Sequence, residues 1–409
     1  MQAIKFISKV AHKVIDPIYI RRAKQNNLVE DLGAGRANRQ GRALVSYVSN
    51  FVQHITETAG REIWDAEDNE AAFAPLCVGQ FGGHSNHWES AEIVRQLIGK
   101  GFIVDCIYGR NGYLIDDASK YDLILDEWTN IETWGAQSPN AIKWRYTVVS
   151  HWLHWNSAEM QRSRWLFQRT GHAITPSRQL PPLEGNAEAS LISYVGNDFI
   201  RGTYNQYQPK MHKLQVSTSI ACDQLRPKDW AIAKKRFLFF GSTGWVHRGL
   251  DLVLEAFLQM DLELFICGGD QGFFDVYGEK IEGRSNIHYL GFVLPESARF
   301  RELVDTTCAV IYPSAAEGCS TSVLQCMHFG LIPLVTLAAG QDIHHITPPL
   351  DDTDDHTMIE DIVTRCQTLV NSSSEQLEEL RQAIWKYASE NHSRDAYRHS
   401  LRRIVDTLN

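Results

Sequence analysis

The chain has 409 residues, 44% of them hydrophobic and 22% charged, with a formal net charge of −9. That length calls for two or three domains, and the composition is that of a globular protein. The acidic balance argues against a duplex-binding protein, and no apolar run reaches the 18 residues of a membrane-spanning helix.

Residues 1–42 differ from the rest, with nine Lys/Arg against three Asp/Glu, a net +6 that leaves the remainder near −15. Ile4, Phe6, Ile7, Val10, Val14 and Ile15 share a helical face of about 180°, with Lys5, Lys9, Lys13 and Asp16 opposite. A basic amphipathic helix fits an anionic membrane surface. A helix packed on its own domain with a solvated basic side is the favoured reading of the two. The lysines inside the apolar run do not suit a cleavable signal peptide. GAGRANRQGR (33–42) reads as a linker. The eight cysteines form no CxxC pair, and Cys106, Cys267 and Cys308 sit in or beside apolar runs. They read as reduced core thiols of a cytoplasmic protein, with peripheral membrane contact through the leader left open.

ALVSYVSNFV (43–52) is the first strand candidate. A Gly-rich loop, QFGGHSNHWES, then leads into a helix with Ile93, Val94, Leu97 and Ile98 on one side. FIVDCIYG, YDLILDEW and YTVVSHW follow as apolar strands spaced for βαβ units. In the second half RFLFFGS, LELFICGG, NIHYLGF, CAVIYPS and IPLVTL read as strands. GLDLVLEAFLQM, PESARFRELVDTT (opened by its proline) and SVLQCMHFG (ended by Gly330) read as helices. Short, continuously apolar strands imply sheets covered on both faces. The expected architecture is α/β with two doubly wound domains facing a cleft. The leader spans 1–42, the N-terminal domain 43–225 and the C-terminal domain 226–390. A final helix, 391–409, crosses back to the N-terminal domain.

Two strand-to-helix loops carry candidate chemistry. In GSTGWVHRGLD (241–251), Gly241 and Gly244 allow a tight turn, with Ser242 and Thr243 between them, and Arg248 offers a bidentate fork suited to phosphate at a helix start. A plain turn with an exposed Arg explains it equally well. In EGCSTSVLQ (317–325), Gly318, Cys319, Ser320 and Thr321 would expose backbone N–H groups, and the Glu317 carboxylate suits sugar hydroxyls. An acid complementing a helix dipole is the bland alternative. Together the two loops point to a nucleotide-sugar.

These segments, FGSTGWVHRGLDLVLEAF and YPSAAEGCSTSVLQCMHFGLIPLV, resemble the C-terminal half of GT-B glycosyltransferases. The nearest resemblance is to the large retaining family 4 type that includes sucrose synthases and bacterial mannosyltransferases. The resemblance implies that Arg248 stands at the family's Lys position on the donor diphosphate and that Glu317 is its first Glu, beside the donor sugar. Gln325 falls where the second Glu meets the nucleotide ribose, and Ser242-Thr243 falls where the family's Arg usually lies. His151, after a strand in VVSHWLHWN, matches a family His near the donor sugar; a structural His beside Trp152 and Trp155 is the alternative. Gly82, Gly83 and His84 of the Gly-rich loop and Asn197 of GNDF are expected on the acceptor side of the cleft. His84 and His87 lack a third ligand at a metal-binding spacing, so no metal and no cofactor is expected beyond the nucleotide-sugar substrate. The implied reaction is metal-independent sugar transfer from a nucleotide-sugar to an unspecified acceptor, with retention of anomeric configuration. A sugar-nucleotide epimerase and a non-catalytic nucleotide-sugar-binding protein remain as alternatives.

Overall fold

Alternation in GRALVSY sorts its side chains to two sides: Ala43, Val45 and Tyr47 join one apolar cluster and Leu44 another. Such a strand is covered on both faces, and the computed structural model, which describes residues 24, 27–36, 40–48, 51–66 and 84–408, bears this out. The strands are β1 (Leu28–Leu32), β2 (Gly41–Tyr47), β3 (Phe102–Tyr108), β4 (Leu123–Asp126), β5 (Ile142–Thr147), β6 (Leu191–Tyr194) and β7 (Met211–Lys213). They form one sheet in the order β1-β3-β2-β4-β5-β6-β7, parallel except for β1 against β3. A second, wholly parallel sheet has the order β10-β9-β8-β11-β12. It comprises β8 (Arg236–Phe240), β9 (Glu263–Cys267), β10 (Ile287–Gly291), β11 (Ala309–Tyr312) and β12 (Ile332–Val335). In each sheet the order reverses beside the first parallel strand, β2 or β8. Ligand crevices of such sheets lie at that switch point, outside the carboxyl ends.

Several boundaries differ from the sequence reading. Residues 28–32, expected in the leader, form edge strand β1, which buries Val29 and Leu32. Its short, acidic sequence, LVEDL, suits an edge better than a central strand. The tail of ALVSYVSNFV belongs instead to a helix, Phe51–Ala59. β5 ends at Thr147, before VVSHW. The helix expected to open at Pro295 starts three residues later, where the Ser297 hydroxyl accepts a hydrogen bond from the Phe300 amide at 3.1 Å. The amphipathic leader helix lies outside the described residues.

The final helix, Arg394–Val405, packs on the N-terminal half. Tyr397 and Tyr146 hydroxyls meet at 3.2 Å, and the Gln215 amide donates to Ser400 Oγ at 3.0 Å. The crossing between sheets is fixed at two points. Glu89 accepts from the amide and hydroxyl of Ser217, each at 2.9 Å. Gln325 Oε1 accepts from Ser219 Oγ at 2.9 Å and the Ile220 amide at 3.2 Å, while its Nε2 donates to the Ile220 carbonyl at 2.6 Å. Seven cysteines, Cys106, Cys222, Cys267, Cys308, Cys319, Cys326 and Cys366, are free thiols. Among the described residues no helix is long and apolar enough to cross a membrane.

Candidate functional site

The loop after β8 turns at Gly244, whose φ of +80° favours glycine, and the Leu250–Phe257 helix starts from Gly249 at φ +76°. Two of its amides are already bonded: Gly241 N–H to the Cys267 carbonyl at 3.0 Å and Gly244 N–H to Asp270 Oδ2 at 3.3 Å. The loop's anion-seeking feature is therefore mainly the side chain of Arg248. Its guanidinium donates to Ser242 Oγ at 2.6 Å and stands 3.8 Å from Glu317 Oε1. Burial works against this cation, but the Tyr312 hydroxyl and Glu317 outweigh burial and strengthen the charged form.

The loop after β11 is stitched to the first one. The Ala315 amide donates to the His247 carbonyl at 2.8 Å, and His247 Nε2 meets the Ala316 carbonyl at 2.6 Å. Glu317 is held between the domains. Its amide bonds the Ala338 carbonyl at 2.9 Å, and its carbonyl accepts from the Ser150 amide, across the interface, at 3.0 Å. Its carboxylate accepts from Tyr312 at 3.1 Å and Ser314 at 3.3 Å. Burial alone would raise its pKa; the cations Arg248 and Arg178, with His247 and the Tyr312 hydroxyl, reverse that and hold Glu317 below its usual value. It is thus ionised at neutral pH. The Ser320 amide is bonded to the Ala339 carbonyl at 3.0 Å, so the small-residue run exposes fewer donors than its sequence implies.

Gly318 marks a close approach of the two halves. A Cβ there would run into the Val148 carbonyl of the N-terminal domain, and one on Gly196 or Gly340 would run into the Gly318 carbonyl. At this seam the two halves meet main chain to main chain.

Between the halves lies a cleft of about 310 Å³. The C-terminal side contributes Arg248, Tyr312, Glu317, Cys319, Ser320 and Thr321. The N-terminal side contributes His84, Glu89, Glu127, Val148, Trp155 and Arg178. Glu89 is 5% exposed, and burial lifts its carboxyl to about 7 against the opposing Ser217 and Tyr47 hydrogen bonds. Among the described residues no group of three or more His, Cys, Asp or Glu is arranged to hold a metal ion.

Thus Arg248, Glu317, Cys319, Ser320, Thr321 and His84 come together in one cleft. Gly241, Ser242, Thr243 and Gly244 form the adjoining loop, and Gly82 and Gly83 lie outside the described residues. Three expected residues point elsewhere. His151 is not among the cleft-lining side chains; its Nδ1 caps the Trp152–Thr170 helix and its ring packs on Tyr204 and Tyr207. Asn197 is a latch between domains, donating to the Leu337 carbonyl at 2.9 Å and the Gln341 carbonyl at 3.2 Å. Gln325, 3% exposed, is engaged by the linker at 219–220. The reading missed Glu89, Glu127, Tyr312 and Arg178, which no motif marks. Only the position of Glu127 and Tyr312 at strand ends could have flagged them.

Residues 234–365 match the family model described as Glycosyl transferases group 1. No curated protein matches the chain. Among solved structures, Anabaena Alr3699/HepE in complex with UDP is 13% identical, with a TM-score of 0.53 over 90% of this chain and 100% of that one. HepE in complex with UDP and glucose is 13% identical, TM-score 0.51, over 77% and 89%. S. aureus TarM is 12% identical, TM-score 0.50, over 72% of this chain and 57% of its own, so this chain spans under two thirds of TarM. At these identities the likeness is one of fold: two Rossmann-like α/β domains facing a cleft, the GT-B architecture.

Proposed function

We propose that the protein is a glycosyltransferase that takes a sugar from a nucleotide-sugar donor and passes it to an acceptor bound on the N-terminal side of the cleft. The observation that carries this reading is the juxtaposition of Arg248 and Glu317, opposite charges 3.8 Å apart at neighbouring strand ends in an interdomain cleft. Arg248 would hold the donor diphosphate and stabilise the charge that develops as it leaves, an electrostatic role that calls for no metal. Glu317, kept ionised by its neighbours, would accept hydrogen bonds from sugar hydroxyls. The group 1 match over 234–365 covers both residues. Retention of configuration rests on the sequence resemblance. The HepE structures, which hold UDP, make UDP and UDP-sugars the first ligands to try.

A second reading, a binding protein without turnover, draws on Gln325, which is engaged by the linker rather than turned to the cleft, and on the missing cation at Ser242-Thr243. Product analysis separates the readings. A transferase forms a glycoside only with acceptor present, an epimerase converts donor without one, and a binding protein does neither.

The site itself is tested by calorimetric titration of wild type, Arg248→Ala and Glu317→Ala with a nucleoside diphosphate and the intact donor. Hydrogen bonds to charged groups are worth roughly 1.5–3 kcal/mol, or about 10- to 150-fold in affinity. Arg248→Ala is expected to weaken both ligands by such a factor. Glu317→Ala is expected to spare or tighten the diphosphate, because Arg248 loses its competing partner, and to weaken the donor's sugar contacts and turnover. Binding of both ligands by both variants at wild-type strength would remove the site.

A further inference from the structure

Building on the donor reading above, we infer that Arg178, from the N-terminal half, is the second diphosphate-binding cation, so that the phosphate site is completed across the interdomain cleft. Arg178 lies in the irregular segment 171–184, between the Trp152–Thr170 helix and β6. Its backbone is anchored to that helix from both sides. The Arg178 amide donates to Glu159 Oε1 at 2.7 Å, and its carbonyl accepts from Trp155 Nε1 at 2.6 Å. Asn156 adds two bonds to the main chain of Leu180, at 2.8 and 2.9 Å. So firm a mooring serves to aim the side chain.

The side chain crosses the phosphate-type loop. Its Cδ packs so tightly over Gly244 that a Cβ there would overlap it. The guanidinium lies over the Trp155 ring at 5.3 Å, and Trp155 rests on His247 of the same loop with ring centroids 4.5 Å apart. Beyond that stacking the charge acts on Glu317 only at longer range. Among the described residues no carboxylate stands within ion-pair distance of Arg178, and its buried Nε has no hydrogen-bond partner. Arg248 Nε, in the same cleft, is likewise buried without a hydrogen bond. Two guanidinium groups are thus turned into one cleft, and of the carboxylates that line it, Glu317, Glu89 and Glu127, Glu317 alone among the described residues stands within ion-pair distance of either, 3.8 Å from Arg248. Two guanidinium forks with open donors in a partly buried site are what a dianionic group would engage. The loop itself offers Ser242-Thr243 and no cation beyond Arg248.

The experiment titrates the full chain with UDP, GDP and ADP, then compares the tightest of these with its monophosphate. Wild type, Arg178→Gln and Arg248→Ala are measured side by side, with thermal melts as the check on folding. Arg178→Gln is expected to weaken the diphosphate about 10-fold or more and the monophosphate much less, narrowing the ratio between them. A merely structural role for Arg178 would lower Tm and weaken both ligands alike, leaving that ratio unchanged and overturning the inference. If Arg178→Gln does not fold, Arg178→Lys carries the test, because it keeps the charge and loses the fork. A diphosphate preference reduced at least threefold supports the assignment, and an unchanged preference overturns it. A wild-type chain that binds none of the diphosphates overturns the donor reading itself. Binding that Arg248→Ala weakens and Arg178→Gln leaves within twofold overturns the assignment of Arg178 alone.

Discussion

Glu89 shows how one buried acid ties the cleft to the linker. Burial raises its folded-state pKa to about 7, above the ordinary glutamate value of 4.5. The protonated form is therefore the one the fold prefers. The associated stability is fully present below about pH 4.5 and is lost as pH rises through about 7. Glu89→Gln, which keeps the acceptor oxygen for Ser217, should flatten this part of the profile by on the order of 1–3 kcal/mol. Denaturant unfolding of both proteins at pH 5 and pH 8 checks it: the variant's gain over wild type must be larger at pH 8. Gln325 makes a sharper case. By resemblance a Glu belongs there, yet Gln325→Glu would lose the hydrogen bond to the Ile220 carbonyl and set a buried carboxylate against it. We expect a loss of about 1–3 kcal/mol, more if the acid stays charged, read from the denaturation midpoint. Arg248 and Glu317 were legible because each follows an apolar strand at a helix start, a local pattern. Arg178 was not, because what places it is a mooring by Glu159, Trp155 and Asn156 that exists only once segment 171–184 folds back.

At the scale of elements, the parallel strands were legible from apolar runs, and their failures were at ends. β1 escaped notice because an edge strand needs few apolar residues, and LVEDL supplies only three. VVSHW reads as strand, but Val148 and Val149 line the cleft beyond the last β5 pairing, at Thr147. The same geometry explains the short helix Thr321–Met327, whose five buried residues include Gln325. It is anchored by its core face while its preceding loop abuts β5's end through Gly318. Gly318→Ala puts a methyl group against the Val148 carbonyl and should hold this loop away from the N-terminal sheet. The expected result is a stability loss of a few kcal/mol and a larger radius of gyration in solution scattering. An unchanged radius together with unchanged stability would show that the seam yields without cost.

Taken as a whole, the molecule is two sheets held shut by polar ties as well as main-chain contact. Arg169, at the end of the Trp152–Thr170 helix, pairs with Asp251 and Asp355 of the other half, and Arg162 donates to the Pro313 carbonyl at 2.8 Å. Asp251 is 2% exposed, so Arg169→Ala would leave it buried beside Arg162 alone. Breaking a buried pair from one side costs about 3–5 kcal/mol, and chemical denaturation should register a loss near that size. Two doubly wound halves were readable from the repeated strand–helix pattern, whereas which surfaces meet is set by residues far apart in sequence. One such meeting is the stack of Arg178, Trp155 and His247. Its central indole lies against both the cation at the cleft and His247 of the 241–249 loop, so the cleft contains its own spectroscopic reporter. With 11 tryptophans in the chain, ordinary emission would blur it. Fluorine-labelled tryptophan, with Trp155→Phe to assign the resonance, would resolve a single line whose shift follows occupancy of the cleft without any added dye.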